Sequence, residues 1–243
     1  MARVSGERVH VLHTRPYSES SLLADLFTRA HGRLTVLAKG ARRLKSRQRG
    51  ALQPFRLLAA GWAGRGELPV LVQAEPVAGA VELRGDRRFC GFYVNELLVK
   101  LLHRHDPHPR LFDVYHETLL ALAGAAQPEA TLRLFERELL RELGFGLNLE
   151  HEADTRLPLR PEIRYCYLPA RGAVRRYAGG AEDVTVSGAA LLALAAGDLH
   201  GDETLRETKA LMRTVLGYHL QGRQLHARSL FTIPRNSHDD NQG

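Results

Sequence analysis

The sequence predicts an α+β protein in which a small antiparallel β-barrel precedes an α-helical bundle and a small mixed C-terminal region. Two observations carry this prediction. Before about residue 85, apolar residues alternate in short runs, a pattern typical of strands with one buried face. After Gly85 they recur every three or four residues, as on one side of a helix. We expect three regions: 1–82 forms the barrel, 83–150 forms the bundle, and 151–243 packs with the bundle.

Five segments before residue 85 have the pattern of short strands. Val9 and Val11 share one face of ERVHVLHTRP, and Leu34 and Val36 share one face of GRLTVLAKG. SSLLADLFTR is apolar on both faces, which favours a central position. The other two strands are expected in LQPFRLLAAGW and ELPVLVQAE. Five short strands suit a closed or nearly closed barrel, because closure limits exposed strand edges.

Helices are predicted from residue 85 onwards. Tyr93, Leu97 and Leu101 recur at intervals of four in the first helix. The boundaries of the second and third are marked by residues that begin or end helices: Asp106-Pro107 or Pro109, Gly124, Pro128 and Gly144. A strand-like piece, EIRYCYL, lies in a segment rich in Pro, Gly and Arg. A final helical pair is expected at 188–196 and 203–220, before a frayed terminus, NSHDDNQG.

The composition favours a polyanionic partner. The chain has 243 residues and a formal charge of +7, with a pI of about 9.8, so nucleic acid is the first expectation and an anionic membrane surface the second. No uninterrupted apolar run reaches the length of a membrane span, so we expect a cytoplasmic protein. Cys90 and Cys166 lie far apart and outside any CxxC pair, so neither a disulfide framework nor a cysteine zinc site is predicted.

One segment carries positive charge without compensation. From Leu26 through Gly66 there is no Asp or Glu, and six cations lie between Lys39 and Arg49. A segment of one sign repels itself unless a polyanion neutralises it, although a solvated basic loop without a role remains the alternative. The candidate phosphate-binding residues are Arg33, Lys39, Arg42, Arg43, Lys45, Arg47 and Arg49. The aromatic residues that could stack on bases, each more often found in a core, are Tyr17, Phe27, Phe55 and Trp62.

An ordered series of motifs resembles a known family. The chain contains VLHTRPYSESS, LFTRAHGRLTVLAKGARR, GALQPF, GRGEL, YVNELL, LFDVY and LRLFERELLRELGFGLN. Their order and spacing, followed by a weaker similarity in TLRETKALMR and LHARSLF, resemble the RecO family of bacterial DNA repair and recombination mediators. The resemblance implies an N-terminal OB-fold, a helical bundle and a small C-terminal region.

The resemblance also implies an activity without covalent chemistry, so no enzyme is predicted. Proteins of this family bind single- and double-stranded DNA, anneal complementary strands, and act with RecR to load RecA onto DNA covered by single-stranded-DNA-binding protein. It implies a monomer in isolation and a location at the nucleoid. Many members carry a four-cysteine zinc module after the bundle, but here that segment contains only Cys166. We therefore predict no metal and no cofactor.

A second candidate site lies on the third predicted helix. Arg133, Arg137 and Arg141 recur at intervals of four beside its apolar stripe. Ordinary ion pairs with neighbouring glutamates are one interpretation. The other follows from the resemblance, because LRLFE matches the place where the family receives the acidic, hydrophobic C-terminal tail of single-stranded-DNA-binding protein. On that interpretation Arg133 is the leading candidate to bind the carboxylates of the tail, and Arg137 is the second candidate.

Two other functions stay open from the residues alone. An RNA-binding or RNA-chaperone module would use the same stacking and phosphate contacts. A nucleic-acid-modifying enzyme is less favoured, because no phosphate-binding glycine motif is present. The histidines of HRHDPHP are interpreted as the end of one helix and the start of the next, so they need not converge on a metal ion. A second DNA surface could use the arginines of the C-terminal region: Arg171, Arg175, Arg176, Arg223 and Arg228.

Overall fold

The computed structural model describes residues 3–64, 66–77, 81–175 and 184–227. The N-terminal strands are β1 (Arg3–Pro16), β2 (Leu22–Thr28), β3 (Gly32–Ala38), β4 (Leu57–Ala63) and β5 (Val70–Pro76). They close a barrel in the order β1-β2-β3-β5-β4, and β4 pairs back onto β1. Every pairing is antiparallel except that of β3 with β5, which meet at Leu37 and Val70. The five predicted strands and the OB-type barrel are confirmed.

The barrel has its own core, and part of its wall belongs to a second one. Val9, Val11 and Leu34 are fully or almost fully buried inside the barrel, as the period of two predicts. A different set of buried barrel residues faces the helices instead: Leu12, Phe27, Phe55 and Leu57. The barrel therefore buries apolar side chains on two sides, which ties it to the bundle.

The helical bundle follows directly. Its helices are α2 (Asp86–Leu101), α3 (Pro109–Ala123) and α4 (Pro128–Glu142), which confirms the three predicted helices. Proline occupies the first turn of α3 and of α4, where its missing N–H costs nothing. The basic segment also contains a short helix that the sequence did not indicate, α1 (Arg47–Ala51).

The C-terminal region combines a small sheet with two helices. Its strands, β6 (Arg164–Leu168), β7 (Gly172–Val174) and β8 (Val184–Ser187), pair in the order β7-β6-β8. The helices are α5 (Gly188–Ala196) and α6 (Asp202–Leu220), close to the expected bounds. Helix α6 packs against α4, α5 and β8, so one apolar core continues from the bundle into this region. The terminal NSHDDNQG lies outside the described residues.

Polar contacts fix the barrel on the bundle. Asn95 of α2 donates from Nδ2 to the carbonyl of Leu12, at 2.7 Å, and accepts a hydrogen bond from the Tyr115 hydroxyl at 2.6 Å. At the surface, Arg29 donates two hydrogen bonds to Asp113, at 3.2 and 3.0 Å. These bonds hold β1 and the β2–β3 turn against α2 and α3.

The start of β3 is joined to the connection between α2 and α3. The carbonyl of Arg33 accepts from the backbone N–H of His105 at 2.9 Å. Gly32 has a φ of +65°, and a Cβ at this position would lie 2.2 Å from the carbonyl oxygen of Asp106. Glycine is therefore required here both by backbone conformation and by close approach. The strand that leads into the basic segment is thus held in place at its first residues.

Candidate nucleic-acid interface

The basic loop, residues 39–56, runs from the end of β3 to the start of β4. Hydrogen-bonded turns fold its first half, with Arg43 N–H donating to Gly40 at 3.1 Å and Ser46 N–H donating to Arg43 at 3.0 Å. Apolar side chains anchor it, because Ala41, Ala51 and Leu52 are buried in the barrel core. The loop is therefore a folded element that is anchored on the barrel core.

Most cations of the basic loop are exposed and unpaired. Arg42 is exposed, and its guanidinium donates to the carbonyl of Ser18 in the β1–β2 turn. Arg56, half-buried at the end of the loop, donates to the carbonyl of Gly50 at 2.9 Å. The remaining five cations form no side-chain hydrogen bond or ion pair with any described residue: Lys39, Arg43, Lys45, Arg47 and Arg49. Unpaired cations on one surface give a positive potential that attracts phosphate. The binding role of these residues stays a prediction.

Arg33 differs from the other candidates in its surroundings. Its side chain is half-buried, and Nη2 donates to the carbonyl of Leu102, the C-cap residue of α2, at 3.2 Å. Burial lowers the pKa of its guanidinium, although an arginine of this kind still keeps its charge at neutral pH. Arg33 therefore supports the junction with the bundle and lies apart from the exposed cations of the basic loop.

Of the four candidate stacking residues, one is exposed. Tyr17 is 58% exposed in the β1–β2 turn, the turn that Arg42 contacts. Phe27 and Phe55 pack against the aromatic rings of α2 and α3, and Trp62 packs edge-on against His31. A ring must be accessible to stack on a base, so within this group only Tyr17 is available.

The expectation that Arg133 borders the apolar stripe of α4 is wrong. Its side chain is only 8% exposed, and Nη2 contacts Glu136 Oε1 at 2.6 Å. The same carboxylate oxygen accepts a hydrogen bond from the Tyr93 hydroxyl of α2 at 2.6 Å. Glu136, one turn along α4, and Tyr93 of α2 form a polar cluster with Arg133, so the Arg133 side chain lies between α2 and α4. Its role in binding a peptide stays a prediction.

Arg137 and Arg141 are more accessible and line a groove of about 250 Å³ beside α4. Arg137 donates to the carbonyls of Leu194 and Ala195 at the end of α5, at 2.6 and 2.9 Å. Both arginines contact Glu138, so the predicted helix ion pairs are present. The groove, hereafter the α4 groove, is lined by Arg137, Glu138, Arg141, Gly146, Leu147, Leu149, Glu150 and Ala195. Sequence reasoning did not single out Leu147 and Leu149, although they alternate after Gly144.

The remaining candidates are dispersed. Arg171 and Arg175 pair with Asp154 and Glu152, whereas Arg176 and Arg228 lie outside the described residues. Within the described ranges, no three His, Cys, Asp or Glu residues converge as a metal site would need. In the same part of the chain, no helix is long and apolar enough to cross a bilayer.

Comparisons with known proteins identify the family. Sequence models described as "Recombination protein O N terminal" and "Recombination protein O C terminal" match residues 1–80 and 83–229. The chain is 43% identical over 233 residues to the "DNA repair protein RecO" of Dechloromonas aromatica, covering 95% of this chain and 96% of that one. It is 44% identical to the protein of that name in Methylococcus capsulatus, covering 95% and 94%. The chain therefore belongs to the RecO family of DNA repair proteins.

Proposed function

We propose that the chain anneals complementary DNA strands and, with RecR, helps to load RecA onto single-stranded DNA covered by single-stranded-DNA-binding protein. It would act at the nucleoid in the cytoplasm, as a monomer in isolation, without metal or cofactor. The observation that carries this proposal is the folded basic loop, whose six exposed cations have no acidic partner among the described residues. Family membership supplies the DNA-repair context.

The physical argument begins with the phosphate backbone. Cations that neutralise phosphates release condensed counterions, so affinity falls as salt rises and depends little on sequence. Annealing brings two polyanions together and needs their base edges free. Arginine and lysine side chains on an outward loop can screen phosphates without covering those edges. Tyr17, exposed beside Arg42, offers one ring for stacking.

We assign a second contact to the tail of single-stranded-DNA-binding protein. Its acidic, hydrophobic end would pair with Arg137 and Arg141 and pack on Leu147 and Leu149, in competition with Glu138 and Glu150, which also line the groove. Arg137 is the member of the predicted pair that lines the α4 groove. Arg133 would support the site from within the α2–α4 interface through its contact with Glu136.

The direct test is annealing of complementary labelled oligonucleotides, each coated with single-stranded-DNA-binding protein, without ATP or added metal. We expect rapid annealing that fades with rising salt. Lys45→Gln with Arg47→Gln should slow it and reduce the salt slope of single-strand affinity by about 1.4, the contribution of two phosphate contacts. Binding without annealing would contradict the proposal.

A matched control removes the same charge elsewhere. Arg84 and Arg160 are exposed and already paired with Glu82 and Glu162. Arg84→Gln with Arg160→Gln should therefore leave annealing and salt slope close to those of the unmodified chain. If this control slowed annealing as much as the loop variant, net charge rather than the basic loop would be responsible.

A further inference from the structure

The basic loop presents a leucine to solvent among its cations. Leu44 is 90% exposed, whereas the other exposed large hydrophobic side chains of the described residues range from 39% to 58% exposed. Three of the six cations between Lys39 and Arg49 precede Leu44 and three follow it. Its direct neighbours, Arg43 and Lys45, form no ion pair with a described residue. Single leucines on a surface are common, but this one is almost free of contact with the protein and is flanked by unpaired charge.

The fold of the loop keeps Leu44 outside the barrel core. The Ser46 N–H donates to the Arg43 carbonyl at 3.0 Å, so Leu44 is an inner residue of a hydrogen-bonded turn. The other large apolar side chains of the loop, Leu52 and Phe55, are only 2% and 6% exposed. The loop therefore buries the apolar side chains at its far end and holds one large apolar side chain in solvent.

A second exposed apolar side chain lies at the same end of the barrel. Leu22, the first residue of β2, pairs with the last residue of β1 and with the last residue of β3. The β1–β2 turn and the basic loop therefore leave the barrel side by side. The Arg42 N–H joins them, because it donates to the carbonyl of Ser20 at 2.9 Å. Tyr17, 58% exposed, belongs to that turn, so two joined segments each present an apolar side chain at the cationic end of the barrel.

The charges beside Leu44 indicate the chemistry of its partner. Cations without acidic neighbours attract phosphates, and the faces of the attached bases are apolar surfaces that a leucine can contact. Leucine is one of the side chains that DNA-binding proteins insert between neighbouring bases, where it unstacks them. In a single strand this insertion breaks stacking alone, because no base pair has to open. An exposed leucine among phosphate-binding cations therefore suits an unpaired strand.

We propose that Leu44 inserts between neighbouring bases of the single strand that the basic loop binds, and parts them. This inference rests on the proposed annealing function, because it states how the loop prepares a bound strand for pairing. Parting the bases disrupts the stacks and hairpins that a single strand forms with itself and that hide its base edges from a complement. Arg43 and Lys45 hold the adjacent phosphates, so the cost of unstacking is offset by charge pairing.

The test uses a fluorescent base analogue, 2-aminopurine, whose emission is quenched while it is stacked. A single strand that carries several such bases among adenines is titrated with the full chain at low salt. We expect emission to rise on the order of twofold at saturation with the unmodified chain and with Leu44→Met, since methionine also serves as a wedge. Leu44→Ser should remove most of the rise and leave the salt slope of affinity unchanged, because no charge is altered.

Leu120→Ser is the matched control, because Leu120 is 47% exposed and lies on α3, outside the basic loop. This variant should keep the full rise in emission. Leu44→Ser should unfold at the same urea concentration as the unmodified chain, since an exposed side chain adds little to stability. An equal rise with Leu44→Ser and with the unmodified chain would overturn the proposal, and so would the absence of any rise with the unmodified chain.

Two further outcomes separate this inference from its alternatives. If Leu44→Ser abolished binding to phosphatidylserine vesicles but left the rise in emission intact, the partner of Leu44 would be an anionic membrane, and the proposal would fail. Annealing is measured separately from emission. A chain that parts bases without annealing strands would contradict the proposed function and leave the role of Leu44 standing, whereas a chain that anneals while Leu44→Ser parts bases normally would contradict the role of Leu44 alone.

Discussion

His10 is a fully buried histidine between the barrel and α3. Its ring lies 4.9 Å from that of Tyr115, 5.2 Å from Phe112 and 5.3 Å from His116, measured between centroids. Neither ring nitrogen has a well-formed hydrogen bond among the described residues. Burial, and then the neighbouring His116, lower the pKa of His10 from 6.5 to about 3. The native junction therefore requires a neutral imidazole.

The free energy of unfolding in acid should depend on the protonation of His10. Between pH 6.5 and about 3, unfolded His10 binds a proton that the folded form rejects, so the free energy of unfolding falls as the pH falls. The slope is up to about 1.4 kcal/mol per pH unit. His10→Leu should reduce this dependence in denaturant titrations at several pH values. His13→Gln, at an exposed histidine, should retain it, and equal slopes for the two variants would contradict the prediction.

Gly32 makes a second prediction at the scale of a residue. Gly32→Ala must hold a φ of +65° and move a carbonyl that would otherwise lie 2.2 Å from the new Cβ. We expect a loss of about 1–3 kcal/mol in the free energy of unfolding. Gly217→Ala is the matched control, because its Cβ would meet nothing within 4 Å inside α6. Alanine there should be neutral or slightly stabilising, and a Gly32→Ala chain of unchanged stability would refute the argument.

At the scale of elements, local signals allowed the helices to be predicted. Pro109 and Pro128 begin α3 and α4, as their fixed φ favours. Strands β7 and β8 were missed because three or four residues give too short a pattern within a segment rich in Pro, Gly and Arg. The burial of Arg133 was missed for a different reason. Tyr93, one member of its polar cluster, lies on another helix, and the spacing of residues along one helix does not show which residues of another helix they contact.

The α4 groove gives a prediction at this scale. Arg137→Ala should weaken binding of the acidic tail peptide about tenfold, because a charged hydrogen bond is lost. Fluorescence titration measures it. Arg110→Ala is the control, since Arg110 is exposed and lies 3.8 Å from the same Glu138 without lining the groove. Equal affinity for the Arg137→Ala and unmodified chains would exclude Arg137 as a contact.

At Arg133 the substitution must not leave the buried carboxylate of Glu136 without a partner. Removing one partner of a buried ion pair leaves an uncompensated charge and destabilises the fold. Arg133→Met combined with Glu136→Gln removes both charges of the pair, and circular dichroism shows whether the helices remain. A folded double variant that binds the peptide normally would show that Arg133 has no part in the site.

At the scale of the whole molecule, the barrel and bundle share apolar surface. Leu12, Phe27 and Phe55 belong to the barrel in sequence but to the helical core in space. We therefore expect one cooperative unfolding transition. Trp62, the one tryptophan in the chain, lies in β4 and reports the barrel, while far-ultraviolet circular dichroism reports the helices. The two probes should coincide in a urea titration.

A variant with a weakened junction between the barrel and the bundle tests the same expectation. Asn95→Ala removes both the bond to the Leu12 carbonyl and that from the Tyr115 hydroxyl. We expect this variant to unfold at lower urea, because two buried polar groups lose their partner. Separate transitions of the two probes in the unmodified chain would show that the barrel and bundle fold independently.

The closure of the barrel has a mechanical consequence. Strands β3 and β5 meet at one parallel position, Leu37 with Val70, supported by the bond from Leu37 N–H to the Pro69 carbonyl at 2.9 Å. Lys39, two residues later, begins the basic loop, so tension on a DNA strand bound as proposed would be applied beside this shortest ladder. The longer β1–β2 ladder, which has a bulge between Val11 and His13, and the continuous β2–β3 ladder are expected to bear such a load. Hydrogen exchange should therefore be faster at Leu37 than in the middle of β2 and should change there first when DNA is pulled taut.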